Sequence, residues 1–204
     1  MFDAAQTKGQ SDRSKGPDPY MLNEEMLKQI SEQFSVEKGI KGLDEENKKR
    51  RMVVGGREFF THFGESLAKM TAELGEKYDD KTYEAIRKDL LEPLGQQYRF
   101  PIVLQRFVEI AYLSLFPSLS FVDIREGSLK RLAFRINNCP MYGKIKEVFP
   151  QAAADLICQY GCVALGKTLC QQLRFDDVKY GVVKLVTKAG YCEFEACREE
   201  KKNV

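Results

Sequence analysis

Six cysteines, Cys139, Cys158, Cys162, Cys170, Cys192 and Cys197, all fall in the last third of the chain, and the first 138 residues hold none. Thiols are the side chains here with obvious reactivity: as thiolates they serve as nucleophiles, metal ligands and redox groups. No nucleophile–base pair of the serine-hydrolase kind competes with them. The single histidine, His62, sits on the flank of a helical pattern between Glu58 and Ser66, where a hydrogen-bonded surface histidine is the simpler reading than a catalytic one. Chemistry is therefore sought between Asn137 and Cys197.

Cys139 stands where a strand pattern gives way to a helical one, and Pro140 fits the first helical position, which makes Cys139 the N-cap. Backbone N–H groups and the helix dipole favour a thiolate there, so Cys139 is the preferred nucleophile by sequence. Asp155, Cys158 and Cys162 are spaced i, i+3 and i+7, which predicts one shared helix face able to bind a metal or brace a substrate. Along the final strand, alternation sends Cys192 and Phe194 to one side and Tyr191, Glu193, Glu195 and Cys197 to the other. Phe194 makes Cys192 the inward cysteine. Cysteine is also a small buried hydrophobe, and packing is the simpler reading of Cys162, Cys170 and, above all, Cys197. The metal candidates are Asp155, Cys158, Cys162 and Cys192, and a metal or iron–sulfur cluster stays open as cofactor. The paired CxxC units usual for such sites are absent, the spacings being CxxxC and CxxxxC. Gly161 and Gly166 form no phosphate-binding pattern. Lys167 and Lys184 could hold a carboxylate if they face a pocket, or else are solvated.

Periodicity lays out the helices and strands that carry these residues. Residues 1–20, rich in Gly, Ser, Asp, Lys and Pro, read as a flexible polar tail. Leu22, Met26, Leu27, Ile30 and Phe34 recur at helical spacing behind a capping Asn23. The stretch from Gly39 to Gly56 reads as a linker or a lightly packed helix, and its Lys48-Lys49-Arg50-Arg51 cluster as a solvated face. Phe59, Phe63, Leu67, Met70 and Leu74 form the stripe of a long helix. Two more helices are expected, from Thr82 to Leu94, after Asp79-Asp80, and from Pro101 to Phe116; the second, nearly all apolar, should be central, and Pro117 stops it. Then the period becomes alternating. Strands near 119–125 and 129–136 turn through Glu126-Gly127-Ser128, a short helix runs from Cys139 to Phe149, a long one from Gln151 to Leu173, and strands near 178–187 and 191–197 turn through Lys188-Ala189-Gly190. The expected fold class is α+β: N-terminal helices packed with one four-stranded antiparallel sheet made of two hairpins. The expected organisation is one domain over 21–204, with a helical part at 21–116 and a sheet-and-cysteine part at 117–198.

Composition narrows the function classes. The 204 residues, 43% hydrophobic, suffice for one well-buried core. With 32 basic and 30 acidic residues and a net charge of +2, the chain lacks the basic stripe of a nucleic-acid binder. It shows neither the apolar stretch of a signal peptide nor a run long enough to span a membrane. The expectation is a cytoplasmic protein with free thiols rather than a disulfide framework.

The run FRINNCPMYGKIKEVFPQAAADLICQYGCVALGKTLCQQL, with GYCEFEAC near the end, resembles the C-terminal half of the L-2-amino-thiazoline-4-carboxylic acid hydrolase family over about residues 130–197. The matching motifs are Cys139-Pro140-Met141-Tyr142, Cys158 and Cys192-Glu193-Phe194. The resemblance implies hydrolysis of a small cyclic amidine or thiazoline in a cysteine-lined pocket. It makes Cys139, Cys158 and Cys192 the catalytic set, with Asn138, Tyr142 and Gln159 binding substrate. One departure stands out: where the family carries an acidic residue shortly after the middle cysteine, this chain reads Cys158-Gln159-Tyr160-Gly161-Cys162. The same order of helices and hairpins is similar to ligand-binding domains of the vinyl-reductase and vesicle-transport-particle type, which implies a non-catalytic module for a small molecule or protein partner. A metal- or cluster-holding accessory subunit and a homo-oligomer are the other readings carried forward.

Overall fold

The computed structural model describes residues 22–49, 52–78, 80–116, 118–149 and 151–199. The readings of the tail at 1–20, of Arg50-Arg51, of Asp79 and of Pro117 lie outside the described residues.

Helix α1 (Glu24–Phe34) begins as its cap dictates: the Asn23 side chain accepts the Met26 N–H at 3.0 Å. Of the two readings of the stretch from Gly39, a linker or a lightly packed helix, the helix holds: α2 (Val36–Lys49), held down by buried Val36, Gly39 and Leu43. In α3 (Met52–Tyr78) the stripe is wider than expected and rotated by one residue. Phe60, Leu67, Ala68, Ala72 and Leu74 are buried, whereas Phe59, Phe63 and Met70 are only partly so. The reason is that α3 packs on more than one side and touches most of the other helices. Helix α4 (Asp80–Ile86) runs through a π turn (Arg87–Leu91) into α5 (Glu92–Leu94). Helix α6 (Arg99–Leu115) is regular only from Pro101, because Phe100 ahead of the proline is extended. Its Val103, Leu104, Val108, Ile110 and Ala111 are buried, as expected of a central helix.

The sheet consists of β1 (Val122–Gly127), β2 (Arg131–Asn137), β3 (Val178–Lys184) and β4 (Tyr191–Arg198) in the order β1-β2-β4-β3, every neighbouring pair antiparallel. This is the expected α+β class, with both hairpins in one sheet and their second strands paired at its centre. Register places Phe134 opposite Phe194 and Ile136 opposite Cys192. Leu132, Phe134, Ile136, Cys192, Phe194 and Ala196 are all buried, so the alternation read from sequence gives the correct inner face. On the outer face Arg135 pairs with Glu193 at 2.7 Å. Between the hairpins lie α7 (Pro140–Val148), α8 (Gln151–Leu156) and α9 (Cys162–Gln172), the last two joined by a π turn (Ile157–Gly161). The expected 188–190 turn is the end of a one-turn helix, α10 (Val186–Ala189), closed by Gly190 at a positive φ of 76°.

The π turn is gripped by α3. A Cβ added at Gly64 would overlap the Gly161 carbonyl oxygen and meet the Leu165 nitrogen. Since both obstacles are backbone, Gly64→Ala should push α3 away from the turn. The expected loss is about 1–3 kcal/mol, the range for overpacking, read as a lower urea midpoint with an unchanged slope.

Candidate functional site

The π turn changes the site from the one spacing alone would build. Its closing bond runs from the Cys162 N–H to the Ile157 carbonyl, five residues back. That extra residue rotates α9 about the helix axis relative to α8. Asp155, Cys158 and Cys162 consequently do not act as one face. Asp155 accepts a hydrogen bond from the Tyr142 hydroxyl at 3.2 Å. Cys158 points to the sheet, where its sulfur lies 2.7 Å from that of Cys192. Cys162 instead lines an apolar crease with Phe63, Tyr112, Leu115, Cys139 and Met141. Among the described residues no group of three or more His, Cys, Asp or Glu side chains is arranged to hold a metal ion. Of the metal candidates Asp155, Cys158, Cys162 and Cys192, the contact found among the described residues is that between the Cys158 and Cys192 sulfurs.

The Cys158–Cys192 pair is buried, each residue only 2% exposed. Two thiols in contact share protons: removal of the first is eased, because the remaining S–H donates to the thiolate, and removal of the second is opposed. The Cys192 thiol is accordingly held below its ordinary value, first by the hydrogen bond with Cys158 and, against the cost of burial, by the Val186 N–H. The Cys158 thiol is pushed far up by the same hydrogen bond and by burial. When the pair loses its first proton, the charge is favoured on Cys192, with the Cys158 S–H then donating to it.

Cys139 is the N-cap of α7 with Pro140 next to it, as read from sequence. Its expected low pKa is overturned. Burial pushes the thiol up to about 11, although the backbone N–H groups of Tyr142 and Met141 pull the other way. The residue is half-buried overall, but its sulfur is enclosed, and enclosure outweighs two N–H dipoles. Cys170 is buried among apolar neighbours and pushed up to about 12 by that burial, in keeping with its packing role. Cys197 sits on the outer face, where alternation puts it, but partly exposed rather than packed in the core as its packing reading expected.

An open cleft of about 500 Å³ runs between α7 and α10 and is lined by Asn138, Cys139, Tyr142, Lys144, Lys146, Val186 and Gly190. It joins three residues singled out in the sequence, Asn138, Cys139 and Tyr142, and Val186 connects its wall to the Cys192 sulfur. Gln159 does not line it, and neither do Cys158 and Cys192, which lie behind its Val186 wall. Nor do Lys167 and Lys184: both are exposed elsewhere, Lys184 near Glu193 and Tyr191. Glu147 also lines the cleft and pairs with Lys144 at 3.3 Å, so among the described residues the cleft's unpaired positive charge is that of Lys146. Sequence reasoning missed Lys144, Lys146 and Glu147, whose only signal is their position within about two turns of Cys139. His62 is exposed, in line with its surface reading. A separate concavity of about 190 Å³ near Tyr83, Arg99 and Arg106 has no cysteine in its lining.

Tyr112 in the apolar crease is a second unusual feature. Its hydroxyl is buried without a partner of good hydrogen-bond geometry, although it is close enough to the Cys162 thiol to act on that group's pKa. Among the described residues, no helix is long and apolar enough to cross a membrane. Comparison with protein-family models, with curated proteins and with solved structures finds no match to this chain.

Proposed function

We propose that this chain is a hydrolase-like protein that opens a small cyclic amidine or thiazoline entering by the cleft between α7 and α10, with Cys192, buried behind that cleft's Val186 wall, as the attacking thiol. The observation that carries this reading is the Cys158–Cys192 contact at 2.7 Å, which favours a thiolate in an otherwise thiolate-hostile interior. Cys192 adds to the amidine carbon and the ring C–S bond breaks, its sulfur taking a proton. The product is an isothiourea on Cys192 with a free substrate thiol. Water then adds to the same carbon and Cys192 departs as thiolate, leaving a urea. Cys158 donates to Cys192 whenever that sulfur carries charge. Lys146 at the cleft rim suits a substrate carboxylate, while Lys144 is paired with Glu147. Cys139 shifts from nucleophile to wall, and the Tyr142–Asp155 hydrogen bond holds α7 against α8.

A chromogenic thiol reagent tests this directly. Incubation with 2-aminothiazoline-4-carboxylate should release substrate thiol catalytically, and acid quenching should trap an adduct on the peptide containing Cys192. Absence of both thiol release and adduct would reject the hydrolase reading.

The second reading, a non-catalytic small-molecule module, is favoured by Tyr112. The Tyr112 hydroxyl, with the Cys162 thiol near it, faces an apolar crease of about 20 Å³, so a hydrophobic ligand with one acceptor atom enters by widening the crease. On this reading Tyr112→Phe, not Cys192→Ser, weakens ligand retention.

A further inference from the structure

We infer that Cys158 and Cys192 form a peroxide-oxidisable dithiol, a modification site in which a small hydroperoxide joins the π turn to β4 through a disulfide. The inference deepens the reading of the proposed site but uses no substrate of it. Its basis is placement. The two sulfurs are 2.7 Å apart, so a bond near 2.05 Å needs them to close by only about 0.7 Å. No other sulfur–sulfur hydrogen-bond contact is found among the described residues. Cys158 belongs to a five-residue π turn, a helical irregularity with looser bonding than the α-helix on either side and frequent at functional sites. Cys192 is the second residue of the central strand β4, at the strand end next to the short helix α10.

Burial selects the oxidant. Each residue is 2% exposed, so a reactant reaches the pair only past Val186 from the cleft, a route open to a small molecule such as hydrogen peroxide or the thiazoline but not to a protein disulfide. The cleft reaches Val186, whose N–H meets the Cys192 sulfur. The Cys192 thiolate attacks one peroxide oxygen, the O–O bond breaks, and hydroxide, or an alkoxide, leaves; Cys192 becomes a sulfenic acid. The Cys158 sulfur then attacks Cys192, the S–O bond breaks, and water leaves with the Cys158 proton. Two thiols have lost two electrons, and the hydroperoxide has gained them. Because the thiolate is consumed, oxidation also switches off ring opening.

The test treats the full chain with hydrogen peroxide, blocks remaining thiols with an alkylating reagent in denaturant, and maps the peptides by mass spectrometry. The expected result is a loss of two hydrogens per chain, a Cys158–Cys192 linked peptide at least about tenfold above any other cysteine pair, and full reversal by dithiothreitol. Cys158→Ser should leave a trappable sulfenic acid on Cys192 and no link. A dominant link through Cys139 or Cys162, or alkylation of both Cys158 and Cys192 while Cys197 is oxidised, would overturn the inference. The wild-type mapping needs no variant to fold. Thiol release from the thiazoline, measured on the same reduced sample, separates the two readings: a linked pair in a protein without ring-opening activity supports the modification site and rejects the hydrolase alone.

Discussion

Cys192→Ser should lower the rate of thiazoline ring opening by on the order of 10³-fold or more, while Cys139→Ser should stay within about tenfold of the native chain, since only loss of the nucleophile removes the covalent route. The contrast comes from opposite environments. The Cys192 thiol is lowered by its partner, and the Cys139 thiol is raised by enclosure to about 11. The pH profile has a definite sign. Activity needs the thiolate, so it rises with pH through the acid limb of the pair. Because the Cys192 pKa is depressed in the folded chain, that limb lies below the ordinary thiol range. Cys158→Ala removes the donating S–H, leaves burial unopposed by it, and should move the limb to higher pH. A limb that stays in place in Cys158→Ala, or activity that survives in Cys192→Ser but disappears in Cys139→Ser, would return the nucleophile to Cys139.

What made this site partly legible is the difference between face and environment. The face of a strand residue is fixed by a period of two, so counting alone places Cys192 and Phe194 inward, and both are buried. Asn23 and Pro140 announce two helix starts by local chemistry, and both starts are where that chemistry puts them. The π turn was not legible. An inserted residue leaves the apolar pattern of 151–173 helical to the eye, yet it breaks the i, i+3, i+7 alignment on which the metal set rested. Nor was the pKa of Cys139 legible. A helix terminus is visible in sequence, but the enclosure that overrides it comes from Tyr112, Met141 and other residues distant from one another in the chain. The Cys158 partner of Cys192 lies 34 positions away, a contact that depends on how α9 and its π turn seat on the sheet.

Phe194→Ala should cost about 3–5 kcal/mol, the range for emptying a fully buried aromatic site, and for a chain of this size that corresponds to roughly 6–20 °C in Tm. Phe194 is 0% exposed. Its ring lies 5.6 Å from that of Phe134 across β2 and 6.2 Å from that of Tyr180 across β3. One substitution therefore removes two of the three ring contacts of this cluster, including Phe134–Phe194 between the hairpins, and leaves only Phe134–Tyr180 at 6.5 Å as a ring contact joining them. The cavity cannot collapse easily, because Phe134 and Tyr180 are held by strands on either side and α9 closes on Tyr180 at Gly166. Phe194 is also two residues from Cys192 on the same face, so loosening it frees the strand that presents the thiol to Cys158. The same variant should consequently form less of the Cys158–Cys192 link under peroxide at a temperature where circular dichroism still shows it folded. A Tm within about 2 °C of the native chain, less than one kcal/mol by the same conversion, would mean that the two hairpins are not joined through this ring.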